Sequence, residues 1–413
     1  MQHGGQERSD PGNNFGIRSA AVIFGAVALI TSCSRSTEPD AAEISPPPPA
    51  QVTPVVASVL AAPVPVPATD GKDHLAYELQ LTNTLAQDVT LTSLAVVAGD
   101  QTLMTLSGDN LTYWTRVIGN PTPTRKVGPG QTALVWLDVG LNRPATIPND
   151  LTHAISVAIP KPQPPLFPAT LTEKVGQVTV QTRKPMVIAP PLDGPNWLDG
   201  NSCCDMTAHR MAMNPLNGQL WAAERFAIDY VQLGPGGRIF AGDKARPESY
   251  PYFGADIRAV AEGPVVSVKD GLPEQVAGRN PTGLPLDQYA GNHIVQDIGD
   301  GNYALYAHLK TGSISVKVGD RLSSGQVIAL LGNSGNTDGP HLHFHVMSTP
   351  DPLRSNGLPF VLSSFTLDGR IASIDAEDAI EAGQPAPMQP GFTPRDESAV
   401  SPLVLDVMSY ANR

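Results

Sequence analysis

Three histidines spaced two apart, in Gly339-Pro340-His341-Leu342-His343-Phe344-His345, are the residues of this sequence best placed to do chemistry. In a β-strand, alternate positions share a face, so the spacing predicts that His341, His343 and His345 project together while Leu342 and Phe344 turn to an apolar side. Imidazoles about 6.6 Å apart along a strand can divide the work. One binds a metal ion at about 2.1 Å while its neighbour faces a water on that ion. Packing alone is a poor reason for such a row, because adjacent imidazoles repel when protonated and gain little when neutral. Two further residues stand out. Asp229 ends an apolar run, Arg225-Phe226-Ala227-Ile228-Asp229-Tyr230-Val231, and a carboxylate placed there needs a partner. A Zn²⁺ ion would supply one, and so would a salt bridge with Arg225 or Arg210. His308 closes the alternating run Tyr303-Ala304-Leu305-Tyr306-Ala307-His308-Leu309, which places it at the end of a strand.

Strands are also what the composition favours. Forty-one prolines and 38 glycines, against 6% aromatic residues, suit short strands and many turns better than long helices, so the expected fold class is mostly β. At 413 residues the chain is long enough for two cores. A formal net charge of −12, with 16% charged residues, provides no basic footprint for nucleic acid and argues against attraction to an anionic membrane surface.

Five segments follow from the composition shifts along the chain. Residues 1–33 carry Arg18, an apolar run from Ala20 to Ile30, and Ile30-Thr31-Ser32-Cys33, a layout that resembles a lipoprotein signal peptide with its lipobox. The run is too short for a permanent membrane span. Cys33 is the expected lipidation site, and the mature chain is expected to be exported and lipid-anchored to the cell envelope on the periplasmic side. Plain secretion, with Cys33 incidental, is the other reading, and either way the chain meets oxidising conditions. Residues 34–73, Pro- and Ala-rich, read as a tether. Residues 74–183 alternate as an antiparallel β-sandwich, with strands around Leu75–Leu81, Val89–Val97 and Thr132–Val139. His74 and His153 stand alone there, and lone histidines are ordinarily surface or core residues. Residues 184–369 hold six of the nine histidines, between His209 and His345. Residues 370–413 read as an acidic and Pro/Gly-rich tail. Cys203 and Cys204 are adjacent, too close for an ordinary staple; a vicinal disulfide and two unlinked thiols both remain open.

The order of motifs in the fourth segment resembles the lysostaphin or LytM type family of zinc metallopeptidases. That family runs HxxxD, G-x-x-V-x-A-x-x-x-G-x-V, YxHL, G-x-x-V-x-x-G-Q, G-x-T-G and HLHF. This sequence has Arg225 to Asp229, Gly254 through Ala259-Val260-Ala261-Glu262-Gly263-Pro264-Val265, and Tyr306-Ala307-His308-Leu309. It continues with Val318-Gly319 to Gly325-Gln326, Gly332-Asn333-Ser334-Gly335 and His341-Leu342-His343-Phe344. The resemblance implies a LytM-type antiparallel β core, the duplicated hybrid motif, following the sandwich. It makes Asp229 and His343 zinc ligands, with His308 and His341 as catalytic residues beside the metal water. One would take the proton of that water and the other would stabilise the oxyanion.

The departure is Arg225. It stands where the family places its first zinc-binding histidine, and a guanidinium cannot coordinate a cation. His209 is the expected replacement, on a strand that returns through Pro215-Leu216-Asn217-Gly218 toward Asp229. A two-residue Asn217-Gly218 loop would turn His209 away from Asp229, whereas a three-residue Leu216-Asn217-Gly218 loop would turn it toward Asp229. The three-residue register is the expectation here, with His345 as another donor and no ligand at all as a third outcome. The function implied is a zinc-dependent endopeptidase acting on stem or cross-link peptides of peptidoglycan. A catalytically inactive LytM-type scaffold that binds or activates other cell-wall hydrolases is the alternative that Arg225 supports.

Overall fold

The computed structural model describes residues 50–413; the expected signal peptide, Cys33 and the first part of the 34–73 segment lie outside the described residues. Gln51–Arg413 form one compact unit. Among the described residues no helix is long and apolar enough to cross a membrane.

The first half is an antiparallel β-sandwich. One sheet runs Val55–Val59, Lys72–Asn83, Thr132–Asn142, Thr115–Val117, and the other runs Thr170–Thr179, Asp150–Ala158, Val89–Ala98, Gln101–Ser107. Alternation builds the core between them. Leu75, Tyr77, Leu79 and Leu81 from one sheet meet Leu91, Leu94, Val96 and Ile155 from the other, all with 0% exposure. The step from Leu91 to Leu94 breaks the period of two, and a register shift between Leu91 and Ser93 restores the inward phase. The sandwich starts earlier than the sequence suggests. Val55–Val59, expected within the tether, pairs with Leu79–Asn83, because its β-branched residues complete the sheet edge.

The second half is organised by an eleven-stranded sheet. Its centre is the Leu342–Met347 strand, flanked by Ile228–Gln232 on one side and Asn302–Leu309 on the other. Leu342, Phe344 and Val346 enter the core with Tyr230, Ala304 and Tyr306, as the alternation predicts. The opposite face of the same three strands carries the polar groups. The apolar end of the C-terminal segment packs back onto the second half. Asp406–Tyr410 pairs between Gly194–Gly200 and Phe365–Arg370 in that sheet, with Val407 and Met408 buried.

The hairpin before Asp229 corrects one expectation. Leu216 pairs with Gln219, so the loop is the two-residue Asn217-Gly218, and both residues adopt left-handed backbone, φ 50° and 77°. That is the turn an Asn-Gly pair favours, because the right-handed twist of the strands matches it. The hairpin strand begins only at Met213, however, and His209 lies on a helical turn, Ala208–Met211, rather than on the strand. Thr207 caps it, its hydroxyl accepting from the Arg210 backbone N–H at 3.3 Å. Cys203 and Cys204, just before it, are joined as a vicinal disulfide.

Candidate metal centre

The register places Asp229 directly opposite His343, and Ala307 opposite His343 on the other side. The three strands therefore deliver a carboxylate and an imidazole to one point. His308 needs an additional device. Strict alternation would send it to the same side as Tyr306, into the core. Instead the Asn302–Leu309 strand carries a bulge: Tyr306 pairs with Ile294 and Leu309 with Asn292, which sets Ala307 and His308 against His293 alone. His308 takes φ 59°, a conformation uncommon for a residue with a Cβ, and its ring turns to the groove.

Asp229 is the hub. His343 Nδ1 lies 2.9 Å from its Oδ1, His341 Nε2 3.2 Å from Oδ1, and His209 Nε2 3.1 Å from Oδ2. Asn201 Nδ2 also donates to Oδ2 at 3.0 Å. His209 thus reaches Asp229 although the hairpin adopts the register expected to exclude it. The register never decides the matter, because the helical turn uncouples His209 from the strand. A capping Thr207 three residues before Arg210 was the signal in the sequence for that turn.

Backbone carbonyls fix the tautomers. Ala227 O accepts from His209 Nδ1 at 3.0 Å, Ser334 O from His308 Nδ1 at 2.8 Å, and Gly339 O from His341 Nδ1 at 2.8 Å. A carbonyl only accepts, so each Nδ1 carries a hydrogen, and Nε2 is the ring nitrogen left to face the groove. His343 is mounted the other way round. Its Nε2 meets His345 Nδ1 at 2.9 Å and its Nδ1 faces Asp229. His345, expected as another donor, sits behind His343 and away from the centre.

The electrostatics follow from one acid among many bases. Burial pushes the Asp229 carboxyl up, but the charges of His209 and His341 outweigh it and hold the group well below the usual range. Burial likewise pulls His209 down, and Asp229 reverses this, lifting it to about 9. His308 and His345 have no such rescue; burial, then the neighbouring imidazoles, drive both well below the ordinary histidine value. Both arginines that could have paired with Asp229 turn away to Glu78. The groups whose donor atoms lie within 4.8 Å of one another are His209, Asp229, His343 and His308, His341, His343. Imidazole Nε2 atoms turned inward by Nδ1–H donation to carbonyls, together with the Asp229 carboxylate, are a fitting donor set for zinc.

A groove of two adjoining cavities passes over the centre; the one holding the histidines measures about 310 Å³. Asp229 and His341 line both cavities, and Tyr250, Tyr252 and Ile239 line the neighbouring one. Glu377 and Glu381, on the helix Glu377–Glu381, form part of the wall while Ile380 anchors that helix in the core. Burial, then Glu381 and Asp229, raise Glu377 to about 7. These two carboxylates were not identified from sequence, because Asp375-Ala376-Glu377-Asp378 reads as a solvated acidic run.

Residues 250–355 match the profile of Peptidase family M23. That span contains His308, His341, His343 and His345 but not Asp229, His209 or Arg225. Peptidoglycan DD-endopeptidase ShyA of Vibrio cholerae is 35% identical over 105 residues, 25% of this chain and 22% of that protein. Glycyl-glycine endopeptidase ALE-1 of Staphylococcus capitis is 32% identical over 116 residues, 27% of this chain and 30% of that protein. The chain thus spans between about a fifth and a third of the length of these relatives. A mutant catalytic domain of the prophage-encoded M23 protein EnpA from Enterococcus faecalis aligns at 20% identity, covering 42% of this chain and 93% of that one, with a TM-score of 0.25. Residues 250–355 of this mostly β chain thus carry a domain of the Peptidase family M23 type.

Proposed function

We propose that the chain is a zinc-dependent endopeptidase that hydrolyses peptide bonds in the stem or cross-link peptides of peptidoglycan. The observation that carries this reading is the position of His209. It supplies beside Asp229 the imidazole that Arg225 cannot. Asp229, His343 and His209 would hold the ion, giving one carboxylate and two imidazoles and leaving a fourth position open, the pattern of catalytic rather than structural zinc. Zinc held by these residues would supply a water with a pKa of about 7 and a Lewis acid for the scissile carbonyl. His308 and His341, with Nδ1–H held by carbonyls, offer Nε2 to the groove. One accepts the proton of the attacking water, and the other, protonated, donates to the oxyanion. The relatives named as peptidoglycan and glycyl-glycine endopeptidases support the substrate class. The arrangement of Arg18, the apolar run and Cys33 supports export and a lipid anchor at Cys33 on the periplasmic side.

The test is release of new amino termini from purified peptidoglycan by the full chain. Cleavage is expected with zinc, is expected to stop with a chelator, and is expected to return on adding zinc back. Stoichiometric zinc without cleavage of peptidoglycan from any source would move the assignment to the non-catalytic scaffold.

A further inference from the structure

The sandwich and the groove share a buried charge network, and we propose that Glu78 of the sandwich is a positioning residue for the metal centre. Through Arg225 and Arg210 it holds the turn before Asp229 and the helical turn carrying His209, so that both face one cation. The inference rests on the metal-site reading above and adds that the site is completed by a residue about 150 positions upstream of Asp229.

Glu78 lies on the outward face of its sheet. Tyr77 and Leu79 point into the sandwich core, so Glu78 would meet solvent in a free-standing sandwich; instead it has 0% exposure. Arg225 Nε donates to Glu78 Oε1 at 3.1 Å and Arg225 Nη2 pairs with Oε2. Arg210 Nε lies 3.8 Å from the same carboxylate and is itself fully buried. Trp136, which pairs with Glu78 in the adjacent strand, donates from its indole Nε1 to Arg210 O at 2.6 Å, and Arg210 Nη2 donates to Leu137 O at 3.3 Å. The sandwich therefore holds Arg210 by hydrogen bonds from an indole and to a backbone carbonyl, with the Glu78 carboxylate as a longer ion pair.

From those anchors the chain leads directly to the ligands. His209 precedes Arg210 in a helix of 4 residues, too short to hold its own orientation. Arg225 is followed by Phe226 at φ 69°, which reverses the chain so that Ala227 O accepts from His209 Nδ1. The carbonyl of Arg225 packs against Gly357 so closely that a Cβ there would lie 1.9 Å from the oxygen. One tightly packed turn thus sets both the His209 tautomer and the start of the Asp229 strand. The arginine that cannot bind zinc is used to brace the ligands that can.

The measurement is the zinc dissociation constant of the full chain by competition with a chromophoric chelator, together with the visible spectrum of the Co²⁺ form, for wild type, Glu78→Gln, Trp136→Phe and His209→Ala. Glu78→Gln is expected to weaken zinc binding on the order of tenfold and to alter the Co²⁺ spectrum, the size seen when the outer partners of a metal ligand are lost. Trp136→Phe keeps the ring and removes only the N–H donated to Arg210, and should weaken zinc binding in the same direction by a smaller factor. A contact that serves stability alone would lower the melting temperature and leave the zinc constant and Co²⁺ spectrum of the folded protein unchanged. That result in both variants, beside a His209→Ala that loses zinc, overturns the proposal while leaving the metal site standing. A His209→Ala variant that binds zinc like wild type overturns the metal-site reading itself, and the proposal with it. Should Glu78→Gln fail to fold, Trp136→Phe decides.

Discussion

His74 in the sandwich and the histidines around Asp229 are both buried imidazoles in contact with carboxylates, yet they do opposite things. His74 Nδ1 lies 2.9 Å from Asp138 and its Nε2 3.1 Å from Asp70. Two acids saturate one base. Burial pulls His74 down, but those acids raise it to about 9, so it is an imidazolium with every donor used. Around Asp229 the ratio is inverted, because one acid meets His209, His341 and His343 and cannot neutralise them all. Cys204 lies close enough to His74 and Asp138 to complete a possible ligand trio, but its sulfur is spent in the bond to Cys203. The difference teaches that the number of acids per imidazole, and whether a backbone carbonyl rather than a second carboxylate takes the Nδ1–H, separate the closed ion pair at His74 from the candidate metal centre; proximity of histidine to aspartate does not.

The largest effect that would break the comparison lies in the acids themselves. Asp229→Ala or His343→Ala should abolish zinc binding measured by equilibrium dialysis, whereas Asp138→Ala should leave it intact. Zinc loss in Asp138→Ala would erase the distinction. Next come the two groove imidazoles. His308→Ala and His341→Ala should each lower peptidoglycan cleavage by roughly 10²–10⁴-fold with zinc content nearly unchanged. Equal loss of zinc would make them ligands rather than proton carriers.

A stability effect follows from the closed pair. The folded pKa of His74 is raised above its unfolded value, so its contribution is fully present below about pH 6.5 and is lost as pH rises through about 9. Urea melts should therefore find His74→Gln less stable than wild type by up to about 3 kcal/mol at pH 6, with the gap closing above pH 10. A gap independent of pH would mean that packing, not charge, holds His74. The smallest effect concerns His345. His345→Gln should weaken zinc on the order of tenfold, as removal of an outer partner does, and complete loss would return it to the donor set.

The histidine-bearing strand was readable because a period of two leaves no freedom: once Leu342 and Phe344 are core, His341 and His343 share the other face. The same logic built the sandwich strands from Leu75, Tyr77, Leu79 and Leu81. It failed where the period is broken. The bulge at Ala307-His308 and the left-handed φ of His308 are tertiary features that no local pattern announces. His209 was named for the wrong reason, since the Asn217-Gly218 turn chose the other register and a capped helical turn decided the outcome. Glu78 could not be found at all, because a charged residue on the outer face of an alternating strand reads as solvated until a second core covers it. The C-terminal carboxylates Glu377 and Glu381 were hidden in the same way.

The account stands on one cation held at Asp229, and the count of metal ions tests it most directly. Purified full chain, dialysed against micromolar zinc and analysed by inductively coupled plasma mass spectrometry, should hold one zinc per chain, and His209→Ala should hold none. No zinc in the wild type would contradict the centre.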